Sequence, residues 1–219
     1  MGTQPKPTVL DGMSADAFLD WERDAPEGRF ELVGGEVVAM APERAGHGRT
    51  KLRTTNALDV AIRAAGLPCE ALIDSVNVRV AGDSVYKPDA IVRCGPPVPD
   101  DATTIADPVV VVEVLSPSTR HVDTGEKLKG YFSLPSLRHY LILNPKDRSI
   151  IHHRRAGEGR PDDPPSGPPS GPPNGPIETR ILHARAATAE DGAEGEAGAE
   201  LILDPPGLAI ACGDLFQAP

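Results

Sequence analysis

Apolar positions near the start of the chain predict a short helix followed by a β-hairpin. Ser14 precedes the stretch ADAFLDWERD, which has helical spacing, and is a suitable N-cap for that helix. In RFELVGGEVVAM, two short apolar segments flank the pair Gly34-Gly35. This arrangement predicts a strand at 29–33, a tight glycine turn and a second strand at 36–40.

A longer helix is predicted after the loop APERAGHG. The stretch TKLRTTNALDVAIRAAG ends at Gly66, where a glycine commonly caps a helix C-terminus. Its apolar side chains recur at helical spacing and share one face, which comprises Leu58, Ala61, Ile62 and Ala65. Apolar and polar residues then alternate from Val76 to Val80, and YKPDAIVRC follows a turn at 82–83, so two strands are predicted.

The most apolar segment of the chain is VVVVEVLSPS, residues 109–118. Continuous apolarity is typical of a strand that is buried on both faces, so we predict a central strand. The stretch DTGEKLKGYFS, at 123–133, predicts a helix with Asp123 or Thr124 as its cap. RHYLILNP and RSIIHHR predict two further strands of a sheet.

The character of the chain changes after Ala156. PPSGPPSGPPNGP repeats every four residues, whereas collagen needs glycine at every third, so a flexible linker is predicted. IETRILHARA favours a strand, and LILDPPGLAIACGDLF is expected to return to the sheet. We interpret 1–219 as one domain with flexible insertions at 156–176 and 188–200. The order of elements predicts an α/β fold with a mixed β-sheet flanked by helices.

Charge is concentrated in the tail, which argues against a generally basic nucleic-acid-binding protein. The 219 residues carry a net charge of −10. Residues 1–155 hold 19 Lys and Arg against 21 Asp and Glu, a net of −2, whereas residues 156–219 hold 3 against 11, a net of −8. The body is therefore nearly neutral, which still permits a local positive groove for nucleic acid.

The cysteines Cys69, Cys94 and Cys212 are few, odd in number and far apart. They favour small buried side chains in a reducing compartment over a zinc site or a disulfide framework. The stretch MGTQPKPTVLDGMS lacks the basic start and apolar run of a secretory signal, and no apolar run is long enough to span a membrane. We therefore expect a cytoplasmic protein with no membrane partner.

Two acids lie in apolar strands, where burial of an isolated carboxylate costs several kcal/mol. Asp89 opens the apolar part of KPDAIV, and Glu113 lies within the valine run. If their strands are neighbours, both carboxylates point into one crevice and suit a hard cation. Lys127 and Tyr131, spaced i and i+4 on the next helix, face one way and can reach that crevice. Lys129 faces elsewhere and is expected to be a solvated surface charge.

Other polar residues give weaker signals. Glu31 lies on the first strand in a setting like that of Glu113, although an outward-facing acid is equally natural there. His47 lies between glycines at the start of the long helix, where it could contact phosphate or water, but a lone loop histidine is more often structural. The remaining candidates are interpreted as structural histidines: His121, His139, His152 and His153.

These motifs together resemble the Uma family of restriction-endonuclease-like proteins, within the PD-(D/E)XK nuclease superfamily. The resemblance is carried by ELVGGEVVAMAP, a Gly-His loop, KPDAIV, VVVVEVLSPSTRHVDTGEKLKGY and HYLILNP. It runs from about Phe18 to Ile151 and resumes weakly at LILDPPGLAIACGDLF. It implies a restriction-endonuclease-like core.

The resemblance also implies the site residues. Asp89 and Glu113 become the metal-binding acids, Glu31 an accessory acid and Lys127 the catalytic lysine. The superfamily lysine two residues after the second acid is absent, because that position is Leu115. Lys127, on the following helix, is expected to take its place. The candidates for contact with substrate are His47, Arg49 and Tyr131.

The implied activity is hydrolysis of DNA phosphodiester bonds with Mg²⁺, or with Mn²⁺ as an alternative ion. A homodimer is expected, because cutting both strands of a duplex needs two sites. Two other interpretations stay open. One is a catalytically inactive module that binds nucleic acid or protein on the same fold. The other is a structural pair between Glu113 and Lys127 that holds no metal.

Overall fold

The structure, a computed structural model, describes residues 12–25, 28–115, 124–156, 175–184 and 199–216. Its helices are α1 (Ala15–Arg23), α2 (Ala45–Ala65) and α3 (Thr124–Phe132). Its strands are β1 (Phe30–Val33), β2 (Glu36–Ala39), β3 (Cys69–Ile73), β4 (Asn77–Ala81), β5 (Ser84–Tyr86), β6 (Ala90–Cys94), β7 (Thr104–Ile105), β8 (Val110–Val114), β9 (His139–Asn144), β10 (Ser149–Arg155), β11 (Ile177–His183), β12 (Glu200–Leu203) and β13 (Leu208–Ala211).

The strands form two large sheets and one separate hairpin. Five strands form a sheet in the order β2-β1-β5-β4-β7, and six form a second sheet in the order β11-β10-β9-β8-β6-β3. In the second sheet β8 pairs antiparallel with β6 and parallel with β9, so the sheet is mixed. The valine strand β8 is central as predicted, and Val110, Val111 and Val112 have no exposed surface. The α/β fold with a mixed sheet is therefore confirmed.

Local signals near the N-terminus were also correct. The backbone N–H of Ala17 donates to Ser14 Oγ at 3.2 Å, so Ser14 caps α1. Gly34 and Gly35 have φ values of 56° and 83° between β1 and β2. Both values lie in the left-handed region, which glycine enters without the steric cost of a Cβ.

The stretch YKPDAIVRC was predicted as one strand, and this prediction is wrong. Tyr86 ends β5 in the five-stranded sheet, and Ala90 begins β6 in the six-stranded sheet. Pro88 between them has no N–H to give to a ladder, which favours a break at this point. The chain therefore passes from one sheet to the other at Asp89.

Helix α2 begins at Ala45, earlier than the predicted start at Thr50. Gly46 and Gly48 have low helix propensity and concealed the true first turn. His47 consequently lies in a helix and not in a loop. The predicted end is confirmed, since Gly66 caps the helix with φ of 63°.

The C-terminal apolar stretch does not return to either large sheet, contrary to the expectation from its sequence. Strands β12 and β13 pair with each other as a separate antiparallel hairpin. Leu201, Leu208 and Ile210 of this hairpin join the main core together with Leu58 and Ile62 of α2. The hairpin thus packs against α2, which also contacts β3 and β6.

The cysteine prediction is wrong for two of the three residues. Cys69 and Cys94 form a disulfide, and Cys212 is a free buried thiol. The two bonded residues are directly opposite each other in the antiparallel pair of β3 and β6. Their separation of 25 residues conceals this proximity, which depends on strand pairing. The argument from cysteines for a reducing compartment therefore loses its basis.

The described histidines of β9 and β10 are structural, as predicted. His139 Nδ1 lies 2.8 Å from His152 Nε2, and His139 Nε2 lies 2.9 Å from the carbonyl oxygen of Pro205. His153, on the opposite face of β10, contacts Thr179 Oγ1. His121 and the predicted cap Asp123 lie outside the described residues.

Two further expectations concern segments that are only partly described. The predicted insertions at 156–176 and 188–200 lie almost wholly outside the described residues. Among the described helices, none is both long and apolar enough to cross a bilayer.

Candidate active site

Four of the sequence-predicted site residues come from separate parts of the chain and meet where the two large sheets adjoin. Glu31 lies on β1, Glu113 on β8 and Lys127 on α3, while Asp89 immediately precedes β6. The backbone N–H of Asp89 donates to the carbonyl of Val112 at 3.0 Å, next to the pair that Ala90 forms with Val112. The charge of Asp89 contributes to the raised pKa of Glu113, so the two carboxylates lie near each other.

Lys127 joins the acids of the two sheets. Its Nζ donates to Glu31 Oε1 at 2.8 Å and to Glu113 Oε1 at 2.9 Å. The hydroxyl of Tyr131, one turn later on α3, donates to the same Glu113 oxygen at 2.8 Å. The backbone N–H of Lys87 donates to Glu31 Oε1 at 2.8 Å. The predicted i, i+4 relation of Lys127 and Tyr131 is thus confirmed.

The protonation of this group is set by burial and by crowding of like charges. Burial raises the pKa of Glu113 to about 7, and the carboxylates of Glu31 and Asp89 add to the rise, while Lys127 opposes it. Burial opposes protonation of Lys127, but the charges of Glu113 and Glu31 outweigh it and raise its pKa. Lys127 is therefore an ammonium at neutral pH and cannot accept a proton.

The carboxylate of Asp89 is held on both of its oxygens. Oδ2 accepts a hydrogen bond from the backbone N–H of Val114 at 2.7 Å. Oδ1 lies 3.0 Å from His47 Nε2. Burial lowers the pKa of His47, but the hydrogen bond and charge of Asp89 outweigh this effect, so the pKa is raised. Through His47, helix α2 contacts Asp89.

A second lysine, which sequence reasoning missed, lies on the other side of Asp89. Lys51 Nζ lies 2.7 Å from Glu43 Oε1, 2.6 Å from Asp74 Oδ2 and 3.7 Å from Asp89 Oδ1. Its side chain is only 5% exposed. Lys51 follows His47 by four residues on α2. A predicted helix that began before Gly46 and Gly48 would have placed Lys51 and His47 on one face.

The charges of this network do not balance. Among the described residues it contains five carboxylates and only three permanently cationic side chains. The acids are Glu31, Glu43, Asp74, Asp89 and Glu113, and the cations are Arg29, Lys51 and Lys127. If all of these groups are ionised, two negative charges remain in excess, and one divalent cation would neutralise them. Protonation of His47 would reduce this excess to one.

The same residues offer ligand atoms for such a cation. One ligand atom each from Glu43, His47 and Asp89 lie within 4.8 Å of one another. Among the described residues, His47 Nδ1 is a buried nitrogen without a hydrogen-bond partner. Carboxylate oxygens suit both Mg²⁺ and Mn²⁺, and the imidazole favours Mn²⁺, because Mg²⁺ prefers oxygen ligands. The residues therefore fit a divalent metal, and Asp89 is common to this cluster and to the pair predicted from sequence.

The remaining predicted residues differ in their exposure to solvent. Tyr131 has no exposed surface, and its hydroxyl donates to Glu113. Arg49 is exposed on α2, and residues two apart on a helix point in different directions, so it does not share the face of His47. Lys129 is exposed on α3, as expected.

Comparison with protein families gives one match that covers most of the chain. The family model Uma2, described as "Putative restriction endonuclease", matches residues 15–187. Two uncharacterized proteins of Synechocystis sp. (strain ATCC 27184 / PCC 6803 / Kazusa) are similar in sequence. The protein slr1290 is 29% identical over 152 residues, 67% of this chain and 76% of the relative. The protein sll1609 is 26% identical over 149 residues, 67% of this chain and 82% of the relative.

A solved structure of another protein shares the fold. It is described as "a putative nuclease belonging to DUF820" from Anabaena variabilis ATCC 29413. The two structures superimpose with a TM-score of 0.61 at 15% sequence identity. The match covers 93% of this chain and 97% of the other. At this identity the likeness concerns the fold.

Proposed function

Because the chain belongs to the Uma2 family, described as "Putative restriction endonuclease", we propose that it is a metal-dependent endonuclease that hydrolyses DNA phosphodiester bonds. The observation that carries the proposal is the cluster formed by Glu31, Asp89, Glu113 and Lys127. Lys127 is shared by Glu31 and Glu113, and Asp89 lies beside His47 and Lys51. Charges gathered away from water are costly to a fold, since desolvation of each charge must be offset. Such an arrangement is typical of a site that serves chemistry.

Asp89 and Glu113 would hold the metal, with His47 and Glu43 completing the donor set on the α2 side. Asp89 is suited to this role because the backbone N–H of Val114 fixes its carboxylate. A bound Mg²⁺ or Mn²⁺ would supply an acidified water and neutralise developing charge on the phosphate.

Lys127 acts as a fixed positive charge. Its raised pKa keeps it protonated, so it stabilises the negative charge of the phosphate in the transition state and orients the attacking water. Glu31 holds the ammonium from the opposite side at 2.8 Å. Tyr131, which is fully buried, positions Glu113 and does not touch the substrate. Arg49, exposed on α2, remains our proposed contact to a substrate phosphate.

The test compares nicking and linearisation of supercoiled plasmid with Mg²⁺ or Mn²⁺. We expect activity for wild type and a loss of about 10²-fold or more for Asp89→Asn, Glu113→Gln and Lys127→Met. Lys129→Met, an exposed lysine on the same helix, is the matched control and should retain activity. Equal cleavage by wild type and Asp89→Asn would show that the products come from a contaminant and would overturn the proposal.

A thermal melt supplies a second readout that does not depend on turnover. Mn²⁺ should raise the melting temperature of wild type and should have less effect on Asp89→Asn, because a ligand stabilises only the state that binds it. The inactive binding module predicts DNA binding without cleavage. A structural pair between Glu113 and Lys127 predicts no stabilisation by either ion.

A further inference from the structure

Strand β11 forms one edge of the six-stranded sheet. It pairs with β10 over seven consecutive residues without a bulge, and no other described strand pairs with its outer side. Its sequence, IETRILH, contains no proline. Bulges, prolines and short length are the usual means by which edge strands avoid pairing with other chains. An edge of this length that lacks them is suited to pairing.

The ladder with β10 determines which backbone groups face outward. Ala184 N–H donates to the carbonyl of Arg148, and Ala156 N–H donates to the carbonyl of Pro176. Even-numbered residues of β11 therefore direct their backbone groups toward β10, because the direction alternates along an antiparallel strand. The outward N–H and C=O groups belong to Ile177, Thr179, Ile181 and His183.

One face of this edge carries two exposed isoleucines. Ile177 is 38% exposed and Ile181 is 62% exposed. Together with Thr179 they lie on the same face of the strand, since side chains alternate with a period of two. Glu178 and Arg180 lie on the other face, where Glu178 pairs with Arg154 of β10.

The charges favour a register centred on Thr179 for pairing of β11 with itself. A two-fold axis at Thr179 places Ile177 opposite Ile181 and Glu178 opposite Arg180. An axis at Arg180 would place Arg180 opposite its own copy, and an axis at Glu178 would do the same for the acid. Like charges directly opposite each other destabilise a strand pair, whereas opposite charges and β-branched pairs stabilise it.

We propose that β11 pairs antiparallel with β11 of a second copy of this chain about Thr179, so that the two six-stranded sheets become one. The outward groups of Ile177, Thr179 and Ile181 supply the hydrogen bonds of this register. This interface is independent of the proposed nuclease activity. Because one strand pair buries less area than a standard interface, we expect a weak dimer whose mass depends on concentration.

The first test reverses the paired charges and measures mass by sedimentation. Wild type should approach twice 23.1 kDa as concentration rises to about 100 µM, whereas Glu178→Arg and Arg180→Glu should each remain near 23.1 kDa. The double reversal should restore the dimer. An equimolar mixture of the two single variants should also form a dimer, because each supplies the charges that the other lacks.

The second test uses a matched pair of exposed isoleucines. Ile181→Lys should abolish the dimer, and Ile202→Lys on β12, where Ile202 is 47% exposed, should leave it intact. Circular dichroism would check that every variant is folded. Wild type that stays monomeric at all concentrations overturns the proposal. So does a dimer that survives both single charge reversals.

Discussion

Lys51 is a buried cation that lies close to three acids, so its removal should leave all three less well neutralised. Its ammonium contacts Glu43 and Asp74 and lies 3.7 Å from Asp89. Loss of one partner from a buried charged cluster is strongly destabilising, although Arg29 remains beside two of these acids. We expect Lys51→Met to lower the free energy of unfolding by about 2 kcal/mol, measured by urea denaturation. Lys129→Met, an exposed control, should change it little, and equal effects would contradict the prediction.

The paired histidines of β9 and β10 should make stability depend on pH. Burial lowers the pKa of His139 to about 3 and that of His152 to about 4. In the unfolded chain both imidazoles bind a proton below pH ~6.5. Since these two histidines then hold more protons in the unfolded state, their contribution to the free energy of unfolding falls as the pH drops from about 6.5 toward 4. Above that range the contribution is complete.

The expected slope is up to about 1.4 kcal/mol per pH unit for each histidine. Urea denaturation at several pH values measures it. His152→Gln should flatten the slope, because glutamine does not titrate, whereas His183→Gln, at an exposed position of β11, should not. An unchanged slope in His152→Gln would show that this histidine is protonated in the folded protein.

At the scale of elements, the placement of α3 depends on a single glycine. A Cβ at Gly130 would lie 2.7 Å from Cε2 and 2.8 Å from the hydroxyl of buried Tyr86, closer than real contacts allow. Alanine there must push α3 away from β5, and α3 carries Lys127. We expect Gly130→Ala to cost about 1–3 kcal/mol of stability. If the proposed function is correct, displacement of Lys127 should also lower cleavage by about 10²-fold.

A control for this substitution lies on the same helix. A Cβ at Gly125 would meet nothing within 4 Å. Gly125→Ala should leave the melting temperature unchanged or raise it, because alanine favours the helix. If both variants melt at the same temperature, close packing at Gly130 is not what positions α3.

Elements with strong local signals were predictable, and those that depend on distant partners were not. The two-glycine turn, the Ser14 cap and the valine strand are encoded by neighbouring residues, and all three are present. YKPDAIVRC divides between two sheets because its two halves pair with different strands. The periodicity of apolar residues carries no information about which strands will pair. Lys51 was missed because glycines concealed the first turn of α2, so its side chain was never aligned with His47.

Across the whole molecule, the disulfide ties the sheet edge at β3 to the strand that follows Asp89. Cys69 and Cys94 close a loop of 25 residues, and a cross-link over such a loop contributes about 3 kcal/mol by restricting the unfolded chain. We expect reduction, or the double change Cys69→Ala and Cys94→Ala, to lower the free energy of unfolding by about that amount.

Thiol titration in denaturant checks the premise of this prediction. Before reduction, only the thiol of Cys212 should react, and after reduction all three cysteines should react. Three reactive thiols before reduction would show that the bond is absent and would restore the case for a reducing compartment.

The strand order sets the distance between the two sites of the proposed dimer, and this distance affects how the dimer would cut a DNA duplex. In the proposed dimer, β8, β9, β10 and β11 of each copy lie in one sheet, so the two Glu113 residues are about 34 Å apart at about 4.8 Å per strand. A twist of roughly 20° per strand also turns the two clusters of acids away from each other. Each copy would therefore cut one strand of the DNA independently of the other. Nicked, open-circular plasmid should accumulate before linear plasmid.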